Sequence, residues 1–265
     1  MSGVATTGWA PIDERAGLFA LEKVVASGWS WRALAVRLEG GEVALVSPVR
    51  GTLERSRESL EAITWVAPLR DGIPTPANGS SCRPTVTPLR SLIGRPTFAL
   101  APNHFHFMGI AEARTPELTC VASAVARPRL TSKCGHAFEP LEALRERLPA
   151  GVTLLEPPGL KSGEVWLRAE TERGVTWAVC DAFFNVNNAL SGTMGLALRA
   201  TGTAPGLRIG KTFDWLVLRD KRAYRRWLEE RIAEDAPRVL VPSHGDVVVD
   251  DDLPERLREL ASRRL

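Results

Sequence analysis

The interpretation of this chain starts from one stretch, residues 101–110, which reads APNHFHFMGI. It follows an apolar run at residues 97–100 that predicts a buried strand, and it places His104 and His106 two positions apart. In extended backbone, side chains at i and i+2 point the same way, so both imidazoles can converge on one metal ion. The alternative is that both are ordinary polar residues at a strand end, hydrogen-bonded to backbone.

Two further residues of metal-ligand type lie downstream, and they favour the metal interpretation. Asp181 follows the apolar run at residues 175–180, and His244 follows the apolar run at residues 239–242. Each stands where a strand is expected to end. We therefore predict that four side chains gather in one loop-lined cleft: His104, His106, Asp181 and His244.

Composition restricts the class of protein. The chain has 265 residues, with 44% hydrophobic and 25% charged residues, which is typical of a globular protein and predicts a single domain over residues 1–265. A net charge of +3 without a Lys/Arg block argues against a nucleic-acid partner. No apolar run approaches the roughly 18 residues that span a bilayer, so no membrane partner is expected. The oligomeric state stays open.

The N-terminus and the cysteines predict a cytoplasmic protein. Residues 1–15 contain acidic residues and lack the apolar core of a signal peptide. The four cysteines are widely spread and form no C-x-x-C pair, so they are expected to be reduced thiols: Cys82, Cys120, Cys134 and Cys180.

Hydrophobic periodicity predicts an alternation of strands and helices. Strands are expected at residues 18–25, 29–38, 43–46, 97–100, 119–126, 152–155, 164–170, 175–180 and 239–242. Helices are expected at residues 52–63, 139–148, 220–234 and 253–265, the last one capped by Asp252. The order predicts two similar halves, each a sheet with outer helices, packed sheet against sheet. Residues 70–96 are rich in Pro and Gly and predict an insertion, either a lid or a decoration.

This layout resembles the metallo-β-lactamase superfamily, an αββα four-layer sandwich whose metal ligands lie on loops at one edge of two mixed sheets. The family motif H-x-H-x-D-H is similar to residues 104–109, where both leading histidines match. Met108 stands at the Asp position of the motif and Gly109 at its last His. The resemblance covers the chain from about residue 19 onward and is greatest to a bacterial branch with a degenerate motif.

The later family ligands also have counterparts. The family carries an Asp after a strand, which is similar to Asp181, and a His in a strand–H-G turn, which is similar to His244 followed by Gly245. The family's middle His is expected between residues 119 and 181. His136 is its one possible counterpart, but it comes earlier than expected, so we predict an exposed loop residue that is not a ligand.

The resemblance implies a metal-dependent hydrolase with an altered site. In the family, the Asp and the last His of the motif bind a second metal ion. Neither Met108 nor Gly109 offers a comparable ligand at these positions, and we expect Met108 to lie in the core. We therefore expect at most one divalent ion, zinc or a similar metal, held by the four predicted residues, with Asp181 also orienting the water.

Two classes of function stay open on this basis. One is one-metal hydrolysis of an ester, thioester or amide. The other is a catalytically silent protein that binds a small-molecule ligand or a partner through the pocket that corresponds to the active site of the family.

Overall fold

A computed structural model describes residues 5–6, 8–24, 29–49, 94–112, 117–187 and 192–265. Its first sheet has the strand order β1-β3-β4-β5-β6-β7, with β2 paired to β3. Pairing is antiparallel from β1 to β5 and parallel from β5 to β7, so the sheet is mixed. Its strands are β1 (Ala5–Thr6), β2 (Ala10–Asp13), β3 (Leu18–Val24), β4 (Ser30–Arg37), β5 (Glu42–Val46), β6 (Arg95–Leu100) and β7 (Thr119–Val121).

The second sheet has the order β14-β13-β10-β9-β8. Among its described strands only β10 and β13 pair in parallel, so this sheet is also mixed. A short antiparallel ribbon, β11 with β12, lies beside it. The strands are β8 (Val152–Leu155), β9 (Trp166–Thr171), β10 (Gly174–Val179), β11 (Phe184–Val186), β12 (Gly206–Arg208), β13 (Val239–Pro242) and β14 (Val248–Val249).

Helices occur on both sides of the sheets. Within the described ranges they are α1 (Met108–Glu112), α2 (Arg127–Cys134), α3 (Glu142–Arg145), α4 (Gly192–Ala200), α5 (Lys211–Leu216), α6 (Lys221–Asp235) and α7 (Leu253–Arg264). None of these helices is both long enough and apolar enough to cross a bilayer.

The two sheets pack face to face because their side chains alternate along each strand. In β13, Val239 and Val241 point into the core between the sheets, while Leu240 points to the helix side. In β6, Leu100 points into that same core and Ala99 packs toward α2. Period-2 alternation of apolar residues on both faces requires a second covering layer on each sheet. The result is the αββα sandwich that was predicted.

Several elements differ from the predictions. The strand predicted at 119–126 ends at residue 121, because the carbonyl oxygen of Ser123 accepts hydrogen bonds from the backbone N–H groups of Ala126 and Arg127 and so forms a turn that leads into α2. Helix α2, helix α4 and the β11–β12 ribbon were not predicted. Helix α3 is shorter than the predicted 139–148, and Asp252 occupies the cap position of α7 without a side-chain capping bond.

Two predictions concern residues outside the description. They are the predicted helix at residues 52–63 and residues 70–93 of the predicted insertion, which lie outside the residues that the structure describes. Residues 95 and 96, which that stretch was expected to include, belong to β6. The single-domain prediction for residues 1–265 stays a prediction.

Candidate metal centre

The chain turns sharply after β6. Asn103 is fully buried, and its Oδ1 accepts hydrogen bonds from the backbone N–H groups of Phe105 at 2.8 Å and His106 at 3.1 Å. This side chain folds residues 103–106 into a turn, as Asn commonly does. The backbone is therefore not extended here, and the expectation that His104 and His106 project side by side is wrong. The two rings reach different partners.

His106, Asp181 and His244 come together at the edge of the two sheets. The Oδ1 atom of Asp181 is 3.3 Å from His106 Nε2 and 3.6 Å from His244 Nε2. The two imidazole rings have centroids 5.3 Å apart. These residues come from the turn after β6, the end of β10 and the end of β13. Three of the four predicted residues therefore lie together: both histidine Nε2 atoms are close to the same carboxylate oxygen of Asp181.

The opposite ring nitrogens of both histidines are also held. His244 Nδ1 lies 2.8 Å from the carbonyl oxygen of Ser30, and His106 Nδ1 lies 2.7 Å from Ser47 Oγ. A carbonyl oxygen only accepts, so His244 Nδ1 carries a proton and donates it. The Nε2 atom then either carries a second proton and pairs with Asp181 or offers its lone pair to a metal ion. Trp29 and Phe184 stack on the His244 ring, with centroids 4.6 and 5.7 Å away, and fix its plane.

The electrostatics follow from this arrangement. Burial alone would raise the pKa of Asp181, but His106 and His244 hold the pKa of that carboxyl well below its usual value. Burial opposes a charged His106, yet the neighbouring Asp181 raises the pKa of this imidazole. Asp181 is therefore a carboxylate, and an ion entering the group has to displace protons from histidine.

Asp181 itself is positioned by two buried side chains. Asn103 Nδ2 donates to Asp181 Oδ2 at 2.6 Å. Glu164, which is 1% exposed, accepts hydrogen bonds from the backbone N–H groups of Cys180, Asp181 and Ala182 at 3.2–3.3 Å. Burial and the charge of Asp181 raise the pKa of Glu164 to about 7. These contacts fix the end of β10 and hence the direction of the Asp181 carboxylate.

Cys180 is a site residue that sequence reasoning missed. Its Sγ lies with an Nε2 or Nδ1 atom of His106 and a carboxylate oxygen of Asp181 in a group whose ligand atoms are all within 4.8 Å of one another. Consecutive residues of a strand point to opposite faces, but the chain bends at residues 180–181, so both side chains face the group. Burial raises the pKa of the thiol well above its usual value, so a metal would have to deprotonate it.

His104 stands apart from this group. It is 6% exposed, and its Nε2 lies 3.2 Å from Arg129 Nη1, which donates to it. Burial, and then the charges of Arg129 and Lys133, lower the pKa of His104. The lone pair that a metal would need is used by a guanidinium. The role of His104 as a ligand stays a prediction, and it requires Arg129 to move.

Met108 and Gly109, the two positions that the sequence comparison set against the Asp and the last His of the family motif, have different surroundings. Met108 is 51% exposed at the start of α1, so the expectation that it belongs to the core is wrong. At Gly109, an added Cβ would lie 1.8 Å from the carbonyl oxygen of Pro48. No side chain fits there, because α1 packs directly on the backbone that follows β5.

Between residues 119 and 181, where the family would have its middle histidine, the residue that lies next to the site is the carboxyl residue Glu164. Residues 162–164 lie against the turn, where the backbone N–H of His104 donates to Ser162 O at 3.2 Å, and they carry Glu164. His136 lies on the loop after α2, where its ring stacks on Phe138 at 5.0 Å. It is half-buried rather than exposed as expected. That it is not a ligand stays a prediction.

Comparison with known proteins identifies the fold. No protein-family model matches the sequence, and no curated protein matches it. Solved structures are similar, however. DIM-1 metallo-β-lactamase is 11% identical, with a TM-score of 0.58 over 99% of this chain and 100% of its own. A metallo-β-lactamase from Pontibacter korlensis is 10% identical, with a TM-score of 0.55 over the same shares.

A second kind of neighbour is longer than this chain. A variant of the flavo di-iron protein of Thermotoga maritima is 14% identical, with a TM-score of 0.55 over 98% of this chain and 61% of its own. The chain thus spans 61% of the length of that relative. The fold is that of the metallo-β-lactamases, as the resemblance implied.

One metal ion could be held by His106, Cys180 and Asp181, because their ligand atoms all lie within 4.8 Å of one another. His244 is not part of that group, but its Nε2 atom lies 3.6 Å from Asp181 Oδ1. Bonds of about 2.0–2.2 Å in a tetrahedral shell place neighbouring nitrogen and oxygen ligands roughly 3.3–3.6 Å apart. The two nitrogen–oxygen distances around Asp181 Oδ1, 3.3 and 3.6 Å, match that spacing. The Nδ1 atoms of His244 and His106, on the far side of each ring, are held by Ser30 and Ser47, and such contacts orient ligand histidines in metal sites.

Proposed function

We propose that this chain is a one-metal hydrolase that acts on an ester, thioester or amide, with zinc or a similar divalent ion. His106, Asp181 and His244 would hold the ion, and Cys180 would join them once deprotonated. The convergence of two oriented imidazoles on one buried carboxylate oxygen carries this proposal. The chemistry of the donor set, two nitrogens and a carboxylate with an adjacent thiol, suits zinc.

A bound zinc ion supplies a water of lowered pKa, about 7, and polarises a carbonyl group. The chain's own residues do the rest. Asp181 keeps Oδ2 on Asn103 and so presents Oδ1 toward both histidines. We propose that this carboxylate orients the water as well as binding the ion. Ser30 and Ser47 hold the rings in place, so their Nε2 atoms do not rotate away.

One observation supports the catalytically silent alternative. In the structure the Asp181 carboxylate lies 3.3 Å from His106 Nε2 and 3.6 Å from His244 Nε2, and its charge raises the pKa of His106 and so favours the imidazolium form of that ring. Such an arrangement is stable without an ion, and the pocket would then serve only to bind a ligand. The two functions differ in whether zinc displaces the protons and whether hydrolysis follows.

Zinc titration by calorimetry distinguishes them. We expect one ion per wild-type chain, and binding that weakens as pH falls through and below the raised pKa of His106, because protons compete for the ligand nitrogens. His106→Ala and His244→Ala should each weaken zinc binding at least about tenfold, whereas His136→Ala, the matched control, should leave it unchanged.

The same samples test hydrolysis. Zinc-loaded wild type should cleave at least one of a p-nitrophenyl ester, a thioester and an anilide faster than zinc-loaded His244→Ala does. Zinc binding without any turnover would favour the silent alternative. A stoichiometry near two, or no zinc binding by the wild type, would refute the one-metal proposal.

A further inference from the structure

Two cations lie along the turn that carries the site histidines. Arg129 and Lys133 are one turn apart on α2, so they share a face of that helix. The Arg129 guanidinium carbon is 5.5 Å from the centre of the Phe105 ring, and Lys133 Nζ is 4.6 Å from the centre of the Phe107 ring. Cation–π contacts of this kind hold the two charges in place beside the candidate metal centre.

Neither cation has an acidic partner among the described residues. Helix α2 reads RPRLTSKC and contains no Asp or Glu, and no ion pair between residues that the structure describes involves Arg129 or Lys133. Two arginines on other helices, in contrast, have an acidic partner one turn away: Arg225 pairs with Glu229 and Arg263 with Glu259. Like charges at i and i+4 destabilise a helix slightly. Repulsion between Arg129 and Lys133 therefore lowers the stability of α2, and a bound anion would offset that loss.

The geometry also leaves donors available. Arg129 uses Nη1 on His104, and a guanidinium has five N–H groups in a planar fork, which fits carboxylate and phosphate oxygens. Lys133 supplies a second charge with three donors. Both side chains are exposed, and both contact aromatic residues of the turn at residues 104–107, which also carries His106 of the candidate metal centre.

We propose that Arg129 and Lys133 bind an anionic group, a carboxylate or a phosphate, of the small molecule that the metal centre acts on. This inference rests on the proposed function for its link to catalysis. The substrate is then a small anionic ester, thioester or amide whose negative group docks on α2 while its reacting carbonyl faces the ion.

The test is binding of inorganic phosphate and of acetate to the full chain, measured by calorimetry on wild type, Arg129→Gln and Lys133→Gln. Arg173→Gln, which changes an exposed arginine in the β9–β10 turn, is the control. We expect the tighter of the two anions to lose about tenfold in affinity in each α2 variant and less than twofold in the control. Among the described residues, the contact of the exposed Lys133 side chain is its cation–π contact with Phe107, so the Lys133→Gln variant keeps the test valid if Arg129→Gln folds poorly.

Equal affinity in all four proteins, or no binding of either anion by the wild type, would overturn this inference. Zinc titration of the same proteins separates the two proposals. If the wild type binds one zinc ion but neither anion, the metal centre is supported and the anion site is refuted. Anion binding that depends on Arg129 and Lys133, without zinc binding, leaves the anion site and removes the proposed function.

Discussion

Gly109 shows at the scale of one residue why the chain accepts no side chain at the position compared with the last His of the H-x-H-x-D-H motif. The motif has a histidine at this position, but the carbonyl oxygen of Pro48 occupies the space where even a Cβ would be, at 1.8 Å. A second ion's ligand at position 109 would require α1 to move away from the chain after β5. The neighbouring Met108 is half-exposed and meets no such restriction.

We therefore predict that Gly109→Ala destabilises the protein by about 2 kcal/mol or more, since overpacking against backbone relaxes poorly. Urea unfolding followed by circular dichroism measures this loss. Met108→Ala, one residue away on the exposed side of α1, is the control and should change the free energy of unfolding by less than about 0.5 kcal/mol. Similar effects of the two substitutions would show that α1 does not pack as described.

The sequence predicted that four residues lie close together, and the structure brings three of them together, for a reason that can be seen in the local sequence. Asp181 and His244 each follow an apolar run that forms a strand, and strand ends meet at one edge of a layered fold. The divergence of His104 depends on the Asn103 turn and on Arg129, which lies on a helix that was not predicted. Helix α2 has only two buried residues, Leu130 and Cys134, so its apolar pattern is too weak to detect.

At the scale of elements, β4 positions the turn that carries His244 although the two belong to different sheets. Arg32 is 6% exposed, and its Nη1 donates to the carbonyl oxygens of Pro242 at 2.7 Å and Gly245 at 2.6 Å. The backbone N–H of Arg32 donates to Ser243 O, and Ser30 Oγ accepts from the N–H of Gly245. A glycine is needed after His244, because φ is +90° and a Cβ would lie 2.1 Å from Asn185 O.

We predict that Arg32→Met weakens zinc binding about tenfold or more and lowers the free energy of unfolding by about 3 kcal/mol. Two buried carbonyl oxygens would lose their donor, and His244 would lose the support that orients it. The measurements are zinc titration and urea unfolding. Arg37→Met is the control on the same strand, because the Arg37 side chain is exposed and stacks over Phe19 instead of reaching the site.

Loss of stability with unchanged zinc affinity in Arg32→Met would indicate that the arginine supports only the fold. Loss of zinc affinity in Arg37→Met of the same size would indicate that any change in β4 disturbs the site. Either result would contradict the positioning role of Arg32.

At the scale of the whole molecule, the layered architecture could be predicted because the central strands of both sheets are continuous apolar runs, which need a covering layer on each face. Strands such as β10 bury Trp177 on the helix side and Ala178 between the sheets, so their pattern is visible in the sequence. The β11–β12 ribbon could not be predicted, since three-residue strands carry too little periodicity to distinguish from a loop. Likewise, sequence spacing does not show which nitrogen of a histidine is free, and the metal proposal depends on that.

The central claim is that one ion sits among His106, Asp181 and His244, and zinc-edge X-ray absorption of the zinc-loaded protein tests it most directly. We predict an inner shell of nitrogen and oxygen at about 2.0–2.2 Å with the signature of two imidazoles, a sulfur at about 2.3 Å if Cys180 is deprotonated, and no second zinc nearby. A zinc–zinc distance of about 3.5–4 Å, or a shell without imidazole, would contradict the account.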